Sequence, residues 1–269
     1  MKTPAKILLL AIAACLPLSG AQAHRQWLLP SATVVSGDNL WVTVDAAVSN
    51  DLFYFEHVPM RLDNLAVVAP DGTATTAENQ STGKYRSTFD VQLKQKGTYK
   101  IAILNSGMFA SYKVDGQQKR WRGTAANYAK EVPANAEDLR VTQMQGRLEV
   151  FVTNGKPTDT VLKPTNEGLE LLPVTHPNDL VVGEPATFRM LLDGKPTAGL
   201  KVTVIPGGIR YRDNLHEKTY TTDEEGKIEL SWTQPGMYWI NASVQDDKSE
   251  IKNARRRAAY TATLEVLPQ

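Results

Sequence analysis

The sequence predicts an all-β chain built as two β-sandwich domains, on three observations. Short runs alternate β-branched or aromatic residues with polar ones, the period of a strand with one buried face. Gly, Pro, Asn and Asp close these runs, as in Pro70-Asp71-Gly72, Asp193-Gly194-Lys195-Pro196 and Asp223-Glu224-Glu225-Gly226. The chain also echoes itself: Leu28-Leu29-Pro30, then Val34-Val35-Ser36-Gly37-Asp38, returns as Leu171-Leu172-Pro173, then Val181-Val182-Gly183-Glu184.

Strands are expected at Leu40–Val44, Tyr85–Val91, Thr98–Ile103, Arg147–Thr153, Ala186–Leu192, Leu200–Ile205, Lys227–Trp232, Met237–Val244 and Tyr260–Val266. Only Ala125–Lys130 and Ala136–Met144 read as short helices. Gly97-Thr98-Tyr99 and Gly236-Met237-Tyr238 each start a late strand. A tyrosine there can return its hydroxyl to the backbone while its ring packs inward. The domains are residues 24–160 and 169–269, joined through Lys156–Gly168, where Gly, Pro, Thr and Asn accumulate. The turn pattern of the second half resembles immunoglobulin-like and carboxypeptidase-regulatory-like modules, a fold that names no function by itself.

Residues 1–23 read as a secretory signal: Lys2 and Lys6, an apolar stretch from Ile7 to Leu18, and the small-x-small site Ala21-Gln22-Ala23. The stretch is too short for a permanent span, so no transmembrane helix is expected in the mature chain. Cleavage after Ala23 implies a periplasmic or secreted protein. Ile12-Ala13-Ala14-Cys15 offers the alternative of a lipoprotein acylated at Cys15. Cys15 is the only cysteine, so its removal ends disulfide, zinc-thiolate and thiol chemistry together.

The charge balance, 30 Lys plus Arg against 29 Asp plus Glu, excludes a nucleic-acid binder by charge. With 42% hydrophobic and 22% charged residues the chain is neither disordered nor a multi-span membrane protein. Serine-hydrolase, P-loop and dinucleotide motifs are absent from the sequence. The chain is therefore not expected to be an enzyme, a copper-dependent oxidase being the one enzymatic alternative.

Chemistry concentrates on histidine. Cleavage after Ala23 makes His24 the N-terminus, where α-amine and imidazole Nδ1 form one chelate. A second imidazole completes a T-shaped set of three nitrogens, which suits Cu(II) or Ni(II). His57 is the first candidate for that imidazole: on a strand, Phe53, Phe55 and His57 share one face, away from Tyr54 and Glu56. His176, in Thr175-His176-Pro177-Asn178-Asp179, is a third candidate, oriented by its neighbours. His216 lies in a polar loop and reads as solvated. Each histidine has an ordinary reading as well, in the core or in a turn. Trp121, flanked by arginines, fits a binding hot spot or a plug beneath a loop. Arg255-Arg256-Arg257 reads as a patch neutralised by Asp246, Asp247 and Glu250 rather than as a lipid contact.

His24-Arg25-Gln26-Trp27-Leu28-Leu29-Pro30-Ser31, placed straight after a signal peptide, resembles the start of an uncharacterised family of secreted bacterial immunoglobulin-like proteins. Members are described as periplasmic components associated with nickel or cobalt uptake. Leu172–Pro177, Leu191–Pro196, Thr222–Gly226 and Pro235–Tyr238 are similar to that family's second half. The resemblance implies a two-part periplasmic protein with a divalent-metal role and a membrane uptake component as partner. The family's first histidine maps onto His24, whereas Asn-Pro often stands where this chain has His176-Pro177. The function expected is binding or delivery of nickel, cobalt or copper. The alternative is a metal-free envelope interaction module.

Overall fold

The computed structural model describes residues 24–269; the expected signal segment and Cys15 lie outside the described residues. The first half comprises β1 (Arg25–Pro30), β2 (Val34–Val35), β3 (Trp41–Ser49), β4 (Val58–Pro59), β5 (Leu65–Val68), β6 (Ala74–Thr75), β7 (Glu78–Thr82), β8 (Ser87–Gln92), β9 (Gly97–Val114), β10 (Gln117–Gly123), α1 (Ala125–Glu131) and β11 (Glu137–Asn154). The second comprises β12 (Leu169–Pro173), β13 (Pro185–Leu192), β14 (Lys195–Pro196), β15 (Lys201–Pro206), β16 (Lys218–Thr221), β17 (Lys227–Ser231), β18 (Gly236–Asp246) and β19 (Arg255–Val266).

Each half is an immunoglobulin-like sandwich. In the first, a sheet ordered β1-β3-β8-β7 packs on strands ordered β6-β5-β9-β11. In the second, β12-β13-β17 packs on β16-β15-β18-β19. A short segment after the first strand pairs in parallel with the last strand in both halves: Val34 with Thr153, and Val181 with Leu267. Shared order and shared parallel contact make the internal echo a duplication of topology. The Tyr99 hydroxyl accepts from Gln95 N at 2.7 Å, and the Tyr238 hydroxyl donates to Gln234 O at 2.8 Å. Both expected tyrosine corners form, each to the residue four before it.

All nine expected strands are present, most of them longer than their alternation suggested. The expected helix Ala136–Met144 is not: from Glu137 onward it belongs to β11. Helix-compatible composition loses here to pairing, because β11 has β9 on one edge and β19 on the other. The Phe53–His57 segment is a turn and loop rather than a strand, and Phe53 adopts φ +61°.

Two of the buried clusters fall in separate stretches of the chain. One gathers residues between Leu28 and Val152, the other residues between Leu169 and Val266. The connection is not a free tether. Thr158 and Thr98 exchange two hydrogen bonds, at 2.9 and 3.0 Å, and β11 pairs in parallel with β19 from Thr142–Arg255 to Val150–Thr263. One ten-stranded sheet therefore runs through both halves.

Its two faces serve different cores. Leu148 and Val150 of β11 enter the first core, and their partners Thr261 and Thr263 on β19 share that face. Tyr260, Ala262 and Leu264 alternate onto the opposite face and into the second core. The remaining sheets thus cover opposite sides of the shared one.

A buried polar network crosses this seam. The Tyr260 hydroxyl donates to Glu149 at 3.0 Å, and Arg147 donates to Glu149 at 3.2 Å and to Thr165 Oγ1 at 2.8 Å. Glu170 receives Thr165 N and Asn166 N. Burial first, and Glu149 second, hold the Tyr260 phenol well above its ordinary pKa, so it stays protonated and donating. Tyr260→Phe removes one partner from a buried carboxylate. It is expected to cost about 1–3 kcal/mol, measured by urea denaturation, against about 1 kcal/mol for Tyr238→Phe, whose partner Gln234 is exposed.

Candidate metal centre

β1 and β4 flank β3 from opposite sides. Arg25 is opposite Ser49, and Val58 is opposite Val48. His24 and His57 each stand one residue before these flanking strands, so both reach the same end of β3. Their imidazoles stack, with centroids 3.9 Å apart and planes 5° from parallel. Both residues are exposed.

The loop carrying His57 is fixed from beneath. Trp27 on β1 is wholly buried, and its indole N–H donates to Ser49 Oγ at 2.8 Å. Phe53 meets the Trp27 ring edge-on at 5.6 Å, and Phe55 meets it at 5.4 Å. The left-handed backbone at Phe53, strained for a bulky residue, accompanies this double contact. Glu56 accepts Asn50 N at 2.6 Å and Asp51 N at 3.0 Å, closing the loop. Arg25 donates to Asn50 O at 2.7 Å and ties the start of β1 to the same turn.

The second half supplies the floor. Trp27, Ala47 and Leu52 pack with Ile205, Ile209 and Trp239. The Trp239 indole N–H donates to Gln26 O at 2.9 Å. Gly207 is needed as glycine, since a Cβ there would lie 3.0 Å from Met237 O and 3.1 Å from the Phe53 ring. The Arg210 guanidinium covers the Tyr54 ring at 3.8 Å. The histidine pair therefore stands at the rim of the junction between the two halves.

Its chemistry follows from the donor set. Two imidazoles on exposed side chains, with an α-amine at His24 if Ala23 is removed, would give three nitrogen donors. The stacked pose is not itself a ligating pose. Nitrogen lone pairs lie in the ring planes, and an ion about 2 Å from one nitrogen cannot lie in both of two parallel planes. One ring has to turn about its side-chain torsions, which exposure allows. Among the described residues no group of three or more His, Cys, Asp or Glu side chains is clustered to hold a metal.

His176 does not join the pair. Its Nδ1 accepts Asn178 N at 3.1 Å, while Nε2 faces Thr98 Oγ1 at 3.1 Å and Thr158 O at 3.4 Å. The accepting Nδ1 assigns the proton to Nε2, and neither nitrogen keeps a free lone pair. The neighbours expected to orient His176 do so, but as a clasp between the connection and β9. His216 is exposed, in a loop at φ +48°, as the polar loop suggested.

Trp121 proves to be a plug. It packs edge-on against Tyr128 of α1 at 5.9 Å, and its N–H donates to Glu131 at 2.7 Å. Sequence reasoning missed the platform of Trp27, Trp239, Gly207 and Arg210, because no local pattern links residues so far apart.

His176 gives a pH prediction. Burial holds its pKa below the ordinary histidine value, so protonation opposes folding. Its contribution is complete above about pH 6.5, the unfolded value, and is lost as pH falls toward the folded pKa. His176→Gln is expected to flatten that limb of the stability–pH curve in thermal melts.

No curated protein matches the chain. Among solved structures it is similar to the D0-D1 domain of Intimin, at 14% identity over 89% of this chain and 97% of that one, with TM-score 0.22. It is also similar to Escherichia coli alpha-2-macroglobulin activated by porcine elastase, at 14% identity over 92% of this chain and 20% of that one, with TM-score 0.25. The human OSCAR ligand-binding domain follows at 10% identity over 90% and 99%, with TM-score 0.22. The profile of the domain of unknown function DUF4198 matches residues 21–246, and the chain belongs to that family.

Proposed function

We propose that the chain, once cut after Ala23, is an envelope protein that binds one divalent transition-metal ion and delivers it to a membrane uptake system. The observation supporting this is the convergence of His24 and His57, 3.9 Å apart although 33 positions separate them in the chain. The His24 amine and Nδ1 would form the chelate, and the His57 imidazole would supply the third nitrogen. The ion supplies a Lewis-acid centre that these nitrogens hold and release. His176 has no part in this reading. Nickel, cobalt and copper all suit nitrogen donors, with intrinsic affinity highest for Cu(II), so the ion carried follows from supply and geometry.

The test compares native and extended N-termini. Residues added ahead of His24 turn its amine into an amide, and His24→Ala removes the imidazole. Each is expected to weaken Cu(II) and Ni(II) affinity in calorimetric titration by more than about 100-fold, beyond what loss of an outer-shell partner brings. His57→Ala is expected to remove the second imidazole with little change in melting temperature, because His57 is exposed. Equal affinity for extended and native chains would overturn the proposal and favour the metal-free interaction module. That reading has its own support in β7, a sheet-edge strand exposed along its whole length.

A further inference from the structure

The shared sheet has an open half that neither core uses. Arg120 on β10, Ser111 on β9 and Arg140 on β11 are direct partners, so their side chains leave one face. The next row on that face is Arg122, Phe109, Thr142 and Arg255, and the row after it pairs Met144 with Arg257. The reverse face carries Trp121, Ala110 and Val141 beneath α1.

Arg256, the middle residue of its run, alternates onto that reverse face. It is buried there and held by Asp193 and Asp246 at 2.8 and 2.5 Å. The run therefore splits: its centre is neutralised, while its flanks join the arginines of β10 and β11. Arg120, Arg122, Arg140, Arg255 and Arg257 are all exposed. Among the described residues, Arg255 alone of the five has a carboxylate in ion-pair range, Asp247 at 3.6 Å.

We propose that this arginine face docks on an anionic phospholipid surface. A chain of nearly balanced charge, +1 overall, concentrates five guanidinium groups on four adjoining strands, a width of roughly 14 Å at ~4.8 Å per spacing. Guanidinium forks match phosphate oxygens, and arginine is the residue suited to that pairing. The face is an open sheet surface rather than a groove, so a fluid layer of phosphates satisfies its grid without a fixed register. Exposed Met144 and half-buried Phe109, set among the arginines, add the apolar area that an interfacial contact buries. The proposal is independent of the metal reading.

The test uses the metal-free mature chain and sedimentation with vesicles of one part phosphatidylglycerol to two parts phosphatidylcholine, or of phosphatidylcholine alone. Binding is expected only to the anionic vesicles, weakening as salt is raised. With about fivefold in affinity per near-surface arginine, Arg120→Gln, Arg122→Gln, Arg140→Gln and Arg257→Gln together are expected to lose more than 100-fold. The pair Arg120→Gln and Arg140→Gln, in the outermost row, is expected to lose about 25-fold and guards against misfolding of the fourfold variant. Neutralising four exposed lysines elsewhere, Lys94, Lys195, Lys201 and Lys218, is expected to leave most of the binding, and His24→Ala all of it. Failure of the unmodified chain to bind anionic vesicles overturns the proposal and assigns the face to an acidic protein partner. Equal losses in the arginine and lysine variants overturn it as well.

Discussion

The parallel pairing of β11 with β19 is the constraint on which the rest of the molecule depends. Two sandwiches of the same topology could have been strung on a linker. Joining their last strands edge to edge instead makes one sheet with a core on each face, and it abolishes two exposed edges at once. Parallel pairing of segments so distant along the chain is entropically demanding. The seam is accordingly reinforced by the buried bond from Tyr260 on β19 to Glu149 on β11, a carboxylate that Arg147 also holds.

The candidate metal centre is a consequence of that seam. Fixing the second half beside the first brings Trp239, Ile205 and Ile209 under β1, where they bury Trp27. Trp27 then carries Phe53 and Phe55, and those rings set the loop that lifts His57 over His24. The two imidazoles are exposed and Phe53 and Phe55 half-buried, but the Trp27 ring on which they rest is wholly buried. This division suits a binding site: a rigid base made of apolar rings, and ligands free to turn at the rim.

Much of this was legible in the sequence, for identifiable reasons. Strand alternation, turn residues and the two tyrosine corners are local signals, and they located the nine strands. His24 and His57 were singled out together, although the argument for His57 assumed a strand. The structure gives a turn, with Phe53 at positive φ, that directs Phe53 and Phe55 inward by another route. Ala136–Met144 was misread because its composition suits a helix, and its two strand partners lie far away in sequence. His176 was read as a third ligand that Asn178 and Asp179 could orient, and Asn178 N is the neighbour that holds its Nδ1. Which lone pairs that orientation uses depends on Thr98 and Thr158, which no pattern near residue 176 reveals. The arginine face escaped notice for the same reason: only register sends Arg256 inward while Arg255 and Arg257 join Arg120 and Arg140.

The central claim, that export creates a three-nitrogen site from His24 and His57, is tested most directly by anomalous diffraction from crystals of the native mature chain loaded with one equivalent of copper or nickel. The expected result is one anomalous peak about 2 Å from the His24 amine, the His24 Nδ1 and a nitrogen of His57, with the stack opened by rotation of one ring. A peak elsewhere, or an intact stack with no ion beside it, would contradict the claim.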